Sequence, residues 1–109
     1  MRIVFDKNVP VGVRSFLSKH EVHTFVEMQW HPQLENGELL TAAEASGFDV
    51  LVTSDQNIRH QQNLTGRKIA FVVIGNQQWP TLRRYVDRVV VAVNAAAPGS
   101  FTEVEIPIK

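Results

Sequence analysis

Three short apolar runs, each cut off by a polar cluster, constrain the fold of this chain more than any other feature. Ile3-Val4-Phe5 stops at Asp6, Val50-Leu51-Val52 stops at Thr53-Ser54-Asp55, and the run from Ile69 to Ile74 stops at Gly75-Asn76. Apolar runs of this length without polar alternation suit strands buried on both faces, and such strands belong to parallel sheets covered by helices. The segments between them have helical character. Val9, Val13, Phe16 and Leu17 recur at helical spacing, and Pro10 suits a first turn, so a helix is expected to about Lys19. Leu39, Leu40, Ala42, Ala43 and Ala45 favour a helix over Glu38 to Ser46, ended by Gly47. Trp79-Pro80 opens the strongest helix signal. Its apolar face is Leu82, Val86, Val89, Val90 and Val93, opposite Arg83, Arg84, Asp87 and Arg88, and it ends by Pro98-Gly99.

The remaining elements are weaker. Glu21 to Val26 has strand composition, Glu27 to Gly37 lacks a clean period and reads as a loop, and a short helix is expected over Asp55 to Gln62. Phe101, Val104, Ile106 and Ile108 suggest an edge strand, where Pro107 is tolerable. Alternating strands and helices give an α/β class with a mostly parallel central sheet and helices on both faces. At 109 residues the chain is expected to form one domain, 1–109.

Composition narrows the chemistry. With no cysteine, a disulfide framework and a thiolate zinc site are both excluded, and a reducing, cytoplasmic setting is expected. Met1 to Asp6 does not resemble a cleavable signal, and the longest apolar stretch, Val89 to Ala97, is too short for a bilayer span, so no membrane association is expected. Lys plus Arg balances Asp plus Glu, 11 against 11, so a nucleic-acid partner would need a local basic patch. Arg59, Arg67 and Lys68, with Arg83, Arg84 and Arg88 further on, are the candidates.

In an open α/β sheet the functional crevice lies beyond the carboxyl ends of the strands. Asp6 and Asp55 both stand at that edge. Two acids so placed repel each other unless a cation lies between them or one binds a proton. Hard oxygen donors suit Mg²⁺ or Mn²⁺, ions that serve phosphodiester hydrolysis. The competing role is plainer: each acid caps the helix after it, and capping acids are far commoner than metal ligands.

Ile3-Val4-Phe5-Asp6-Lys7-Asn8-Val9-Pro10 resembles the opening of PIN-like domains, in which an apolar strand leads into Asp, any residue, Asn, an aliphatic residue and often Pro. Val50-Leu51-Val52-Thr53-Ser54-Asp55-Gln56-Asn57-Ile58 resembles their second signature, a strand running into Thr, any residue and Asp. The resemblance covers Met1 to about Trp79 and is closest to the short single-domain members that serve as toxins of toxin–antitoxin pairs. It implies a PIN-like three-layer α/β/α sandwich and a Mg²⁺-dependent endoribonuclease. Asp6 and Asp55 would be catalytic metal ligands, and Asn8 and Thr53 would support them by hydrogen bonding. The third acid that the family places before the second motif would fall to Glu38 or Glu35, because Asn36 stands where Asp is frequent. An RNA substrate, an antitoxin protein and a second copy of the chain are the implied partners.

Two departures remove negative charge from such a site. Lys7 stands where relatives often carry Glu, and Gln56-Asn57 where they often carry another acid. Weaker ion binding follows, and with it an alternative: a catalytically weakened PIN-like module that works by binding protein or RNA. Lys7, Arg59 and His60 are candidate phosphate contacts, with solvated surface positions the simpler reading. Trp30 and Trp79 could stack on bases, although core packing is commoner for either. His20-Glu21-Val22-His23 is not a zinc motif, since residues three apart on a strand face opposite ways. A receiver-like phosphoacceptor also uses a strand-end Asp, but the first strand lacks the acidic pair expected of it.

Overall fold

The computed structural model describes residues 1–34, 36–55 and 67–107. Five strands form one sheet: β1 (Arg2–Phe5), β2 (Glu21–Thr24), β3 (Val50–Thr53), β4 (Ala70–Ile74) and β5 (Phe101–Val104). Their order across the sheet is β2-β1-β3-β4-β5, and every pairing is parallel. A 3₁₀ helix (Val11–Leu17) follows β1, α1 (Asn36–Ala45) precedes β3, and α2 (Trp79–Arg84) and α3 (Val86–Asn94) lie between β4 and β5.

The uninterrupted apolar runs are explained by burial on both sides. Ile3, Phe5, Val50, Val52, Ala70, Val72 and Ile74 pack against the 3₁₀ helix, α2 and α3. Val4, Leu51, Phe71 and Val73 point the other way, onto Leu39, Leu40 and Ala43 of α1 and onto Phe25 and Phe48. The result is the expected α/β sandwich. Phe71 stands in the middle of the α1 side at 1% exposure, and truncating it to Ala would cost about 3–5 kcal/mol through lost transfer energy and a residual cavity.

Helix α1 ends as its glycine requires. Gly47 has φ +80°, its N–H donates to Glu44 O, and the Phe48 N–H donates to Ala43 O, so a left-handed residue closes the last turn. The Arg2 guanidinium donates to the Ser46 carbonyl. The carboxyl end of α1 therefore lies beside the start of β1, and its first turn, with Glu38, lies toward the carboxyl rim of the sheet.

Several local expectations change. The segment after β1 is a 3₁₀ helix, not an α-helix, and Phe16 is partly exposed on it while Val13 and Leu17 are buried. β2 ends at Thr24, because the Glu27 N–H bonds the Thr24 hydroxyl in a turn, and Val26 is exposed. The single long helix from Trp79 is broken at Tyr85, whose φ of −122° and ψ of 17° leave helical space. Among the described residues no helix is long and apolar enough to cross a membrane. The helix expected beyond Asp55, with Gln56, Asn57, Arg59 and His60, lies outside the described residues, as does Glu35.

Candidate functional site at the carboxyl ends of β1 and β3

β1 is the strand at which the chain's progress across the sheet reverses: β2 lies on one side of it, while β3, β4 and β5 follow on the other. Connections from such neighbours leave in opposite directions, and a crevice opens between them at the carboxyl ends. Asp6 and Asp55 follow the two strands that flank this point. Phe5 is opposite Val52 in the ladder, so Asp6 comes level with Thr53. By alternation both side chains lie on the α1 side, with Val4 and Leu51.

Three hydrogen bonds tie the two segments together, and a fourth lies within the second. The Asp6 N–H extends the ladder to Val52 O at 2.8 Å. The Thr53 hydroxyl donates to Asp6 Oδ2 at 2.9 Å and accepts the Asp55 N–H at 3.0 Å. Asn8 Oδ1 accepts the Ser54 N–H at 3.1 Å. The other Asp6 oxygen, Oδ1, accepts the Lys7 N–H at 2.7 Å. Asp6 is 9% exposed and Thr53 fully buried, so these bonds satisfy groups that burial would otherwise leave costly.

Asp6 does not act as a helix cap. Pro10 precedes the 3₁₀ helix with no side-chain cap bond, and the Asp6 carboxylate is spent on Lys7 and Thr53 instead. Asn8 acts one step away from the acids, by fixing the backbone just before Asp55. The Lys7 ammonium donates to Pro32 O at 2.6 Å and lies 5.5 Å from the Phe25 ring centre. Glu38 is exposed in the first turn of α1.

The donors at this rim are hard oxygens: two carboxylates, the Ser54 and Thr53 hydroxyls and nearby backbone carbonyls. Each Asp6 oxygen carries one hydrogen bond and keeps a lone pair. Magnesium is commonly held by one or two carboxylates together with water and substrate phosphate, and the set fits that pattern. Among the described residues no three Asp, Glu or His side chains cluster around a common point.

Sequence reasoning overlooked Ser54 and Gln77. The Ser54 hydroxyl donates to Gln77 Oε1 at 2.7 Å, which joins the loop after β3 to the loop after β4. The available signal was positional, since any polar residue just past a buried run sits on the rim, whereas Gly75-Asn76 by itself marks only a stop. The basic candidates divide. Arg67 pairs with Glu44 at the opposite end of α1, Arg88 lies over Tyr85 and donates to Glu105 O, and Arg83 and Arg84 share a surface depression with Trp79. No family model, no curated protein and no solved structure matches this chain.

Proposed function

We propose that the chain is a divalent-metal-dependent endoribonuclease of PIN-like type, acting as the toxin of a toxin–antitoxin pair. One observation carries the reading: the two motifs that resemble PIN-like signatures, 47 residues apart at Asp6 and Thr53, meet in a single hydrogen-bonded network at the reversal point of the sheet. In this reading Asp6 and Asp55 hold the ion, and Glu38, on the same rim, adds negative charge. When bound, Mg²⁺ or Mn²⁺ would lower the pKa of a water and offset charge on the phosphoryl oxygens. Thr53 orients the Asp6 carboxylate and the Asp55 backbone together. Asn8 fixes the β3 exit.

The test is cleavage of a single-stranded RNA by the purified chain with Mg²⁺ or Mn²⁺ and with chelator, beside Asp6→Asn. Metal-dependent cleavage lost in the variant is expected. Equal cleavage by both proteins would sink the reading. For the toxin role, expression of the chain is expected to arrest growth, and a protein encoded beside it should relieve the arrest; growth unaffected by a cleaving enzyme counts against it.

The weakened binding module has an observation in its favour as well. The Lys7 ammonium is anchored on Pro32 O, a resident positive charge on the residue after Asp6, where PIN-like domains often carry a carboxylate. Calorimetry with Mn²⁺ separates the readings: tight binding abolished by Asp55→Asn supports the enzyme, and millimolar or absent binding supports the module.

A further inference from the structure

Trp79, Arg83 and Arg84 meet on the surface of α2, and we infer that they form a docking site for a single-stranded polynucleotide, one base stacking on the indole while the guanidinium groups hold the adjoining phosphates. This deepens the proposed activity by giving its substrate a track, and it rests on that reading.

The three side chains, with Pro80, line a depression of about 540 Å³. Trp79 is half-buried. Its six-membered ring lies against Gly12, where an added Cβ would come within 2.4 Å of Cζ2, and its centroid is 6.4 Å from that of Phe16. The indole is thus held in place by the 3₁₀ helix while part of it stays open beside two exposed arginines. Phe16, 41% exposed, adds apolar surface beside it.

Among the described residues neither Arg83 nor Arg84 pairs with a carboxylate; Arg84 only lies 6.0 Å from the Tyr85 ring centre. Basic residues in the last turn of a helix complement its partial negative charge. That accounts for a cation at the end of α2 but not for a fixed, partly open indole next to two of them. In a chain whose charges balance 11 against 11, this local excess asks for an anion, and an aromatic face beside it asks for a flat ring. Single strands offer both, because their bases are unstacked and their phosphates continuous. A duplex hides its base faces.

The patch also has the right position. Gln77, two residues before Trp79, accepts the Ser54 hydroxyl, and Ser54 adjoins Asp55. Two residues span at most about 7 Å of chain. Trp79 lies on the face of the sheet opposite the Asp6 carboxylate but on the same rim, so a strand crossing the rim would reach both.

Binding is measured by anisotropy of fluorescein-labelled oligo(U) and oligo(dT) with the full chain in EDTA, so that no cleavage intervenes. Both the Arg83→Ala/Arg84→Ala double variant and Trp79→Leu are compared with the unaltered chain. The expected result is binding at low salt, a log–log salt slope shallower by about 1.4 in the double variant, from about 0.7 per lost phosphate contact, and affinity lower by about fivefold or more in Trp79→Leu. Trp79→Phe, which keeps an aromatic face, should retain most of the affinity. Three results would overturn the inference: no binding at low salt, double-variant binding equal to that of the unaltered chain, or a duplex held as tightly as the single strand. Cleavage that persists with any of these leaves the nuclease standing, and binding without cleavage removes the nuclease alone.

Discussion

The hydroxyl of Thr53 donates to Asp6 Oδ2 at 2.9 Å and accepts the backbone N–H of Asp55 at 3.0 Å, so one oxygen atom couples the two carboxylate-bearing segments. Thr53→Val keeps the shape and deletes the oxygen. A buried carboxylate oxygen and an amide then lose their partner together, which should lower stability by about 1–3 kcal/mol, read from urea unfolding. Asp6→Asn should be far milder, because an amide carbonyl can accept the Lys7 N–H while its NH₂ donates to Thr53. A Thr53→Val protein as stable as the parent would mean that the bond adds nothing.

Gly12 is required by the indole above it. An alanine there would place its Cβ 2.4 Å from Cζ2 and 2.7 Å from Cε2 of Trp79, distances that no side chain tolerates, so the ring must move. Overpacking of this kind costs about 1–3 kcal/mol. Gly12→Ala should show that loss together with a shift in tryptophan emission, and the Trp30 contribution can be removed by comparison with Trp79→Phe. Unchanged emission would show that the ring does not rest on Gly12.

The free edge of β2 is closed by two side chains rather than by a strand. The Glu21 N–H donates to Met1 O, so by alternation the Val22 carbonyl and the Thr24 N–H face outward. Arg14 Nη2 donates to Val22 O at 2.7 Å, Glu27 Oε1 accepts the Thr24 N–H at 3.0 Å, and the two side chains pair at 2.8 Å. The Arg14 guanidinium first, then the Thr24 N–H, hold the Glu27 carboxyl below its usual range, with a smaller contribution from His23. Folded chains therefore bind fewer protons here than unfolded ones. The stabilisation is complete above about pH 4.3, the ordinary glutamate value, and fades as pH falls through the lower folded value. Glu21, held down by Arg2 and then His23, adds to the same trend. Melting temperature should drop on acidification below that range, and Glu27→Gln should start lower at neutral pH and drop less. An identical acid profile in the variant would remove Glu27 from the account.

The strands and acids were legible because burial on both faces leaves an uninterrupted apolar signature, and a strand's carboxyl end is fixed by where that signature stops. Val4, Leu51 and Phe71 could be assigned to a core without knowledge of their neighbours. The break at Tyr85 carried no such mark: Leu82, Val86 and Val89 keep one buried face across it, and no Gly or Pro announces it. The 3₁₀ segment was hidden similarly, since Val9, Val13 and Leu17 are buried at helical spacing in either geometry. Pairwise relations were the least legible. Asp6 and Asp55 each belong to a readable motif, whereas the contact of Ser54 with Gln77 and that of Lys7 with Pro32 depend on which loops become neighbours, and a strand order of 2-1-3-4-5 is not written in any one segment.

Lys7 gives the proposed ion site its sharpest adjustment. Its ammonium donates to Pro32 O beside the Phe25 ring, and the residue follows Asp6 directly, so its charge bears on an ion at the Asp6 carboxylate; a separation of one Debye length, about 10 Å, sets the scale. Replacing +1 by −1 at that distance changes the interaction with a divalent ion by about 1.7 kcal/mol in water, and by about 0.6 kcal/mol once one Debye length of screening is included. Lys7→Glu should therefore bind Mn²⁺ between about threefold and fifteenfold more tightly by calorimetry. The gain should shrink as salt is raised, because screening shortens the reach of the charge. Tighter binding that ignores salt would signal direct coordination by the new carboxylate. No change at any ionic strength would place the ion, if one binds, away from the ends of β1 and β3.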